Sequence, residues 1–343
     1  MKALMKVASG PGHLELRDLP DPSPGPGEVL VQVAATGICG SDLHIQDDEY
    51  QVVPPVAIGH ETAGTVAAVG HGVTAYHPGD RVTSRTTIST CGRCDLCHAG
   101  RTNLCPERRW LGGHVNGGFA RSFVVPEANL LHLPDGISFD AAALTEPLAC
   151  CVHGVLEVAK PAAGSVTVVS GPGPIGLLCA QVARAAGAEV IVLGTSADET
   201  RFALARRLGF KRLIDVQAQD AIAAVHDLTA GRGPDLIVEA AGSAGSLDQC
   251  LKMAPRGGTV LQIGLYGKPV PFAADTLVTK EIRLLGSFSS TPTAWPAALD
   301  LIASGQVRTE PLVTSKRPLT EWADAFLAAR HKAEGKILLT PAG

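Results

Sequence analysis

Four cysteines crowd one short stretch of the chain, Cys91-Gly-Arg-Cys94-Asp-Leu-Cys97 and then Cys105. Each can offer a thiolate, and four thiolates close a tetrahedral shell around one Zn²⁺. The first three stand too close together to form ordinary disulfides with one another. The surrounding segment is rich in Gly, Arg and Asp, so the cluster is expected to tie an irregular loop rather than a core element. A shell closed by four thiolates has no room for substrate, and the zinc expected there is structural.

A chain of 343 residues is long enough for about two domains. Its 38 glycines, 45% hydrophobic residues and only 4% aromatics suit an α/β protein with many tight turns. Thirty-three acidic residues against 29 basic ones give a formal charge of −4, which offers no footprint for nucleic acid. No apolar run approaches the ~20 residues needed to cross a bilayer, so no membrane partner is expected. The start, Met-Lys-Ala-Leu-Met-Lys-Val, is too short and too charged for a secretion signal. Nine cysteines, five of them candidate metal ligands, read as a reduced, cytoplasmic protein. Cys150, Cys151, Cys179 and Cys250 read as small apolar fillers.

The texture changes near residue 152. Before it, short alternating runs such as Val29-Leu-Val-Gln-Val33 and Gly64-Thr-Val-Ala-Ala-Val69 are divided by Pro/Gly clusters, the pattern of a β-rich, irregular domain. After it, strands are expected at 165–170, 189–193, 212–216, 235–240, 259–264 and 282–287, with helices between them, the first over 174–186. That alternation predicts a doubly wound parallel sheet. From about 290 the pattern loosens, with a helix near 295–304 and short pieces ending at 336–339.

Gly171-Pro-Gly173-Pro174-Ile175-Gly176 fits G-x-G-x-x-G, and here it follows a strand and opens a helix. Gly171 permits the tight turn, Gly173 lets backbone approach a pyrophosphate, and Gly176 allows close helix–strand packing. The whole turn, Pro174 and Ile175 included, is assigned to coenzyme binding. About 20 residues on, an NAD site usually has an acidic residue for the ribose 2′-hydroxyl. This chain has Gly194-Thr195-Ser196 there, followed by Asp198, Glu199 and Arg201. Small hydroxyl residues leave space and donors for a 2′-phosphate, so NADP is favoured over NAD.

A second constellation looks open. Gly37-Ile-Cys39-Gly-Ser41-Asp-Leu-His44 and Gly59-His60-Glu61 bring a cysteine, a histidine and a carboxylate that can hold Zn²⁺ while leaving one position vacant. Thr145-Glu146-Pro147 adds a carboxylate that reads equally as a helix start. With these motifs in order, and with Pro78-Gly-Asp-Arg-Val82, Gly117-Gly-Phe-Ala120 and Glu146-Pro-Leu-Ala149, the chain resembles the zinc-containing medium-chain dehydrogenases of the sorbitol (L-iditol)/threonine branch over nearly its whole length.

That resemblance implies a GroES-like catalytic domain over 1–151 with the structural zinc lobe, a Rossmann NAD(P)-binding domain over 152–289, and a segment over 290–343 returning to the catalytic domain. It implies that Cys39, His60 and Glu61 are ligands of a catalytic zinc, with Glu146 a ligand or a substrate-orienting group. Ser41 and His44 match the family's proton-relay positions. Two zinc ions per chain, a homo-oligomer (dimer or tetramer) and a small-molecule alcohol or ketone substrate follow from the same likeness. The implied reaction is reversible oxidation of a secondary alcohol such as a polyol, cyclitol or diol, in the cleft between the domains. The alternative is a hydroxy-amino acid of the threonine type. A zinc-ribbon nucleic-acid binder lacks the basic face it needs, and a silent relative would not keep Cys39, Ser41, His60 and Glu61 together.

Two departures stand out. Sorbitol dehydrogenases tend to carry an Arg-Tyr pair where this chain reads Phe288-Ser289-Ser290. The segment Gln46-Asp-Asp-Glu-Tyr-Gln51 is shorter and more acidic than its sorbitol-type counterpart. It reads either as a solvated surface loop or as a pocket mouth suited to neutral or amine-bearing substrates.

Overall fold

Val29, Val31, Val33 and Ala35 alternate along the strand Glu28–Gly37, and all four are buried. This strand pairs antiparallel with Glu61–Val69 and with Ser122–Pro126. Register shifts after Leu30 and Val33 let it bend. In the computed structural model, which describes residues 1–332 and 334–341, this strand lies within a seven-stranded sheet. That sheet is continued by Lys336–Thr340 and then Val313–Pro318, which run parallel to each other. A three-stranded sheet of Leu14–Asp18, Lys2–Lys6 and Val56–Ala57 accompanies it. One core joins Leu4, Ile45, Ile58, Phe119, Phe326 and Ile337, which draws the late strands and the helix Trp322–Arg330 onto the first sixty residues.

These elements form one unit, made of Met1–Glu146, Thr291–Ala303 and the chain from Val313 onward. The other unit is Pro147–Ser290 with Ser304–Leu312. Residues 304–312 count with this second unit, whereas the sequence reading places 290–343 with the first. Gln181 explains their attachment: its side chain donates to the Arg308 carbonyl and accepts from the Arg308 N–H.

The second unit holds a six-stranded parallel sheet. In space the strands run Leu213–Asp215, Glu189–Gly194, Val166–Ser170, Leu236–Glu239, Thr259–Gln262 and Arg283–Gly286. Numbered along the chain, that is the order 3-2-1-4-5-6 of a dinucleotide-binding sheet. Val168, Ile191, Ile237 and Val260 are wholly buried, as expected of strands covered on both faces. The helix Pro174–Ala185 starts with Pro at its first turn and buries Leu177, Leu178, Val182 and Ala183.

The turn that feeds this helix has no slack. Gly171 sits at φ +103°, and a Cβ on Gly176 would lie 1.8 Å from the Gly171 carbonyl oxygen. Gly176→Ala is therefore expected to force the strand and helix apart and to destabilise the protein by about 2–4 kcal/mol. A urea unfolding midpoint equal to that of the parent would contradict this.

Candidate functional site

In the cysteine lobe, Cys94 caps the short helix Asp95–His98, and its sulfur accepts from the Cys97 N–H at 3.4 Å. The Cys91 N–H likewise donates to the Cys105 sulfur at 3.4 Å. Cys91 Sγ lies 3.9 Å from Cys97 Sγ and 3.6 Å from Cys105 Sγ. A tetrahedron with metal–sulfur bonds of about 2.3 Å has edges of about 3.8 Å; these two separations match it, and all four sulfurs lie within 4.8 Å of one another, a group that could hold a zinc ion. The Arg93 backbone N–H is the first cause that brings the Cys91 thiol down to about 6, which favours the thiolate that a metal requires.

The second cluster belongs to the first unit. Cys39 caps the helix Gly40–Gln46, and His60 immediately precedes the strand Glu61–Val69. Cys39, His60 and Glu61 each bring one ligand atom within 4.8 Å of the others. A glycine at 37 makes this approach possible, because a Cβ there would lie 2.0 Å from Glu61 Oε2. The Ser41 hydroxyl sits 3.4 Å from His60 Nε2, and the Trp110 ring stands edge-on to His60 at 5.8 Å between centroids. A thiol, an imidazole and a carboxylate in this array suit Zn²⁺, with a hydroxyl at its margin.

Four further residues surround the cluster. Asp42 is fully buried, accepts the Cys39 N–H at 2.8 Å, and turns its other oxygen to His60 Nδ1 at 3.7 Å. A carboxylate behind an imidazole fixes which ring nitrogen faces a metal. Burial raises Asp42 to about 6, against the pull of His60. Burial alone would lower His60, but the Asp42 carboxylate and the Cys39 sulfur outweigh it and carry the imidazole up to about 10. Lys336 places its ammonium 2.7 Å from both oxygens of Glu61 and donates to the Ile38 carbonyl at 2.9 Å. Burial works against the charge on Lys336, yet Glu61 and Cys39 raise its pKa. Thr86 donates to Glu146 at 2.9 Å, and burial raises the Glu146 carboxyl. Glu146 feels His60 and Glu61 electrostatically but stands outside the close three-atom group.

His44 shares the helix Gly40–Gln46 with Ser41, and its Nδ1 is 2.6 Å from Glu49 Oε2. Among the described residues no hydrogen bond joins Ser41 to His44. The acidic stretch after that helix is balanced by cations elsewhere in the chain: Asp47 pairs with Arg330 at 2.7 Å, and Asp48 lies 3.8 Å from Lys6. The structure thus favours the solvated-loop reading of these carboxylates.

In the second unit Gly171, Gly173, Pro174, Ile175 and Gly176 form the turn between Val166–Ser170 and the following helix, with Gly173 as its N-cap. Arg201 Nη1 would be 3.8 Å from a Cβ on Gly173, so the guanidinium lies beside the position through which backbone approaches a pyrophosphate. Gly194 ends the second strand, and Thr195 and Ser196 follow it. The Thr195 hydroxyl donates to Asp198 at 2.7 Å, and Arg201 stands 3.6 Å from the same carboxylate. Ser196 Oγ donates to Asp215 at 2.5 Å.

Sequence reasoning overlooked Asp42, Thr86, Lys336 and Asp215. Asp42 had a signal, since it falls inside the Gly37–His44 motif and sits where an acid can cap the turn. Lys336 had none, being 275 residues from Glu61.

Comparison with known proteins fits this geometry. Residues 25–135 match the alcohol dehydrogenase GroES-like domain, and 174–304 match the zinc-binding dehydrogenase domain. The chain is 40% identical over 342 residues to a sorbitol dehydrogenase of Halalkalibacterium halodurans, covering 99% of each. It is 38% identical to an L-threonine 3-dehydrogenase of Saccharopolyspora erythraea, covering 99% of this chain and 98% of that one. A zinc-binding dehydrogenase of Sinorhizobium meliloti solved with NADP superposes with a TM-score of 0.88 at 35% identity, covering 99% of both chains.

Cys97→Ser should leave three thiolates and a labile metal in the lobe. The expected result is a lower melting temperature and loss of one zinc per chain, checked by calorimetry and metal analysis. A second expectation concerns pH. In the metal-free protein His60 holds a proton up to about 10, above the ordinary 6.5, so that contribution to stability is full below 6.5 and is lost as pH rises towards 10. Zinc must displace the same proton. Its apparent affinity should rise about tenfold per pH unit for each proton released, read by chelator competition between pH 6.5 and 9. A flat profile would contradict the assignment of His60.

Proposed function

The chain belongs to the zinc-binding dehydrogenase family, and we propose that it oxidises a secondary alcohol of the polyol class to a ketone, reversibly, with NAD(P)⁺ as hydride acceptor. The carrying observation is the convergence of Cys39, His60 and Glu61 with the Ser41 hydroxyl beside them. Cys39, His60 and Glu61 would hold the Zn²⁺, which would supply Lewis acidity towards the alcohol oxygen, and the turn Gly171–Gly176 would hold the coenzyme that accepts hydride. Ser41 is the group placed to receive the hydroxyl proton. In this reading His44, one helical turn on and hydrogen-bonded to Glu49, takes the proton on towards solvent, although it makes no hydrogen bond to Ser41 among the described residues. Asp42 keeps His60 Nδ1 turned away from the metal side. Lys336 balances Glu61, and Glu146 serves as a nearby carboxylate for the metal or for a substrate hydroxyl.

A neutral polyol is preferred over a hydroxy-amino acid because Asp47 and Glu49 are already paired, with Arg330 and His44. An ammonium group would find no spare carboxylate from these two. The 40% identity to a sorbitol dehydrogenase over 99% of the chain supports the same choice.

The proposal includes two zinc ions per chain, one in each cluster. It also includes a homo-oligomer, dimer or tetramer, working in a reducing cytoplasm. Support for the first comes from exposed apolar residues on one segment, Leu265, Phe272 and Val278. Support for the second comes from the nine unbridged cysteines. No helix among the described residues is long and apolar enough to cross a membrane. Because no carboxylate ends the strand Glu189–Gly194, NADP⁺ is proposed to serve at least as well as NAD⁺.

The test is a kinetic panel of polyols, cyclitols, diols and threonine with both coenzymes, run on the parent and on His60→Ala. The parent should turn over a polyol or diol. The variant should bind coenzyme yet lose turnover by a factor of about 10³ or more. Retained activity with unchanged zinc content would remove His60 from the site. Threonine as the best substrate would install the amino-acid reading. A hundredfold advantage of NAD⁺ in kcat/KM, about 2.7 kcal/mol, would overturn the coenzyme proposal.

A further inference from the structure

The second strand of the parallel sheet lacks the acid that usually grips a ribose, but its neighbour does not. Leu213–Asp215 lies beside Glu189–Gly194, and in their parallel register Gly194 stands opposite Asp215. Both residues therefore occupy the carboxyl ends of adjacent strands, the edge along which such sheets bind ligands. Asp215 reaches across this edge: its Oδ2 accepts the Ser196 hydroxyl at 2.5 Å, while Oδ1 accepts the Gln217 N–H at 2.8 Å. The Ser196 backbone N–H is in turn held by the Gln217 side chain at 3.3 Å. The carboxylate is thus fixed in place rather than swinging in solvent.

The other acid at this edge is accounted for. Asp198 folds back on its own helix start, where it accepts both the N–H and the hydroxyl of Thr195, and Arg201 stands beside it. Among the described residues no Lys, Arg or His pairs with Asp215. Arg212, three residues earlier, pairs with Glu189 instead. Asp215 is therefore a strand-end carboxylate with no cationic partner among the described residues; Glu239, which ends Leu236–Glu239, is another, but it is buried and held by the Gln262 amide and backbone N–H groups.

We infer that Asp215 is the specificity-determining residue for the coenzyme, supplying from the third strand the acceptor that the second strand lacks. The inference rests on the dinucleotide reading above and deepens it. Three atoms matter. Ser196 Oγ is already donating, so it offers a 2′-phosphate a lone pair instead of a hydrogen. Asp215 Oδ2 adds a fixed charge to the same place, which repels the phosphate and can accept from a 2′-hydroxyl. The missing acid on the second strand admits NADP⁺, and Asp215 limits how far NADP⁺ is favoured.

The probes are 5′-AMP and adenosine 2′,5′-bisphosphate, titrated calorimetrically into the full-length, zinc-loaded protein and its Asp215→Asn variant. They differ only by the 2′-phosphate and need no turnover. Asparagine keeps the size and an acceptor while removing the charge. Affinity for the bisphosphate relative to 5′-AMP should rise about tenfold in the variant, with 5′-AMP itself changed less than threefold. The difference between parent and variant should shrink as salt rises from 0.05 to about 0.5 M. Asp227→Asn, which makes the same charge change on the exposed side of the helix Ala221–Leu228, should leave the ratio unaltered. A ratio within twofold of the parent in Asp215→Asn, or an equal shift in Asp227→Asn, would overturn the inference while leaving the dinucleotide site intact. Failure of the parent to bind either nucleotide would overturn the dinucleotide reading and this inference with it.

Discussion

Three carboxylates, Asp42, Glu61 and Glu146, are buried in the first unit around one imidazole, and each must be compensated without bulk water. The compensation differs for each. Asp42 takes a backbone N–H from Cys39 and faces His60, Glu146 takes the Thr86 hydroxyl, and Glu61 takes a full ammonium from Lys336. Such a set is costly to assemble in an apolar surround, and removing one partner of a buried ion pair costs about 3–5 kcal/mol. The sheet, its bends and the glycine at 37 can be understood as what brings these partners together. A divalent cation fits the same logic, since it adds positive charge where acidic groups outnumber basic ones.

The two units handle charge in opposite ways. In the first, chemistry depends on ionisable groups shielded from water. In the second, the binding turn is almost devoid of them: Gly171 through Gly176 present backbone and a helix start, with only the Arg201 guanidinium close by. Backbone dipoles suffice for a pyrophosphate because they are already oriented and need little reorganisation. Near the end of the second strand the unit does carry acids, Asp198 held by Thr195 and Asp215 held by the Ser196 hydroxyl.

Much of this was legible from residue order. The strand and helix positions after residue 152 fall within a residue or two of those expected, because parallel strands buried on both faces read as plain apolar runs. The grouping of Cys91, Cys94, Cys97 and Cys105 was legible because the four lie on one short stretch, whereas the approach of Cys39 to His60 and Glu61 joins two separate elements and was suggested by the family's motifs. Two kinds of feature were not legible. Contacts between strands depend on sheet order, so the reach of Asp215 to Ser196 could not be seen from the second strand alone. Salt bridges across long separations leave no local pattern, which hid Lys336. The acidic loop at 46–51 was ambiguous for the same reason, since its partners Arg330 and Lys6 lie far off in both directions.

The separation of Glu61 and Lys336 also bears on the order in which the molecule can mature. During synthesis the carboxylate emerges 275 residues before its ammonium. Throughout that interval Glu61 has no partner that could let it enter an apolar interior, so the strand carrying it must stay hydrated or be held by some other cation. The second unit, whose parallel sheet is drawn from residues 166–286, can close in the meantime. The first domain to begin is thus the last to finish. A ribosome pausing after Leu312 but before Lys336 would leave the second unit complete beside a first unit in which Glu61 still lacks its ammonium.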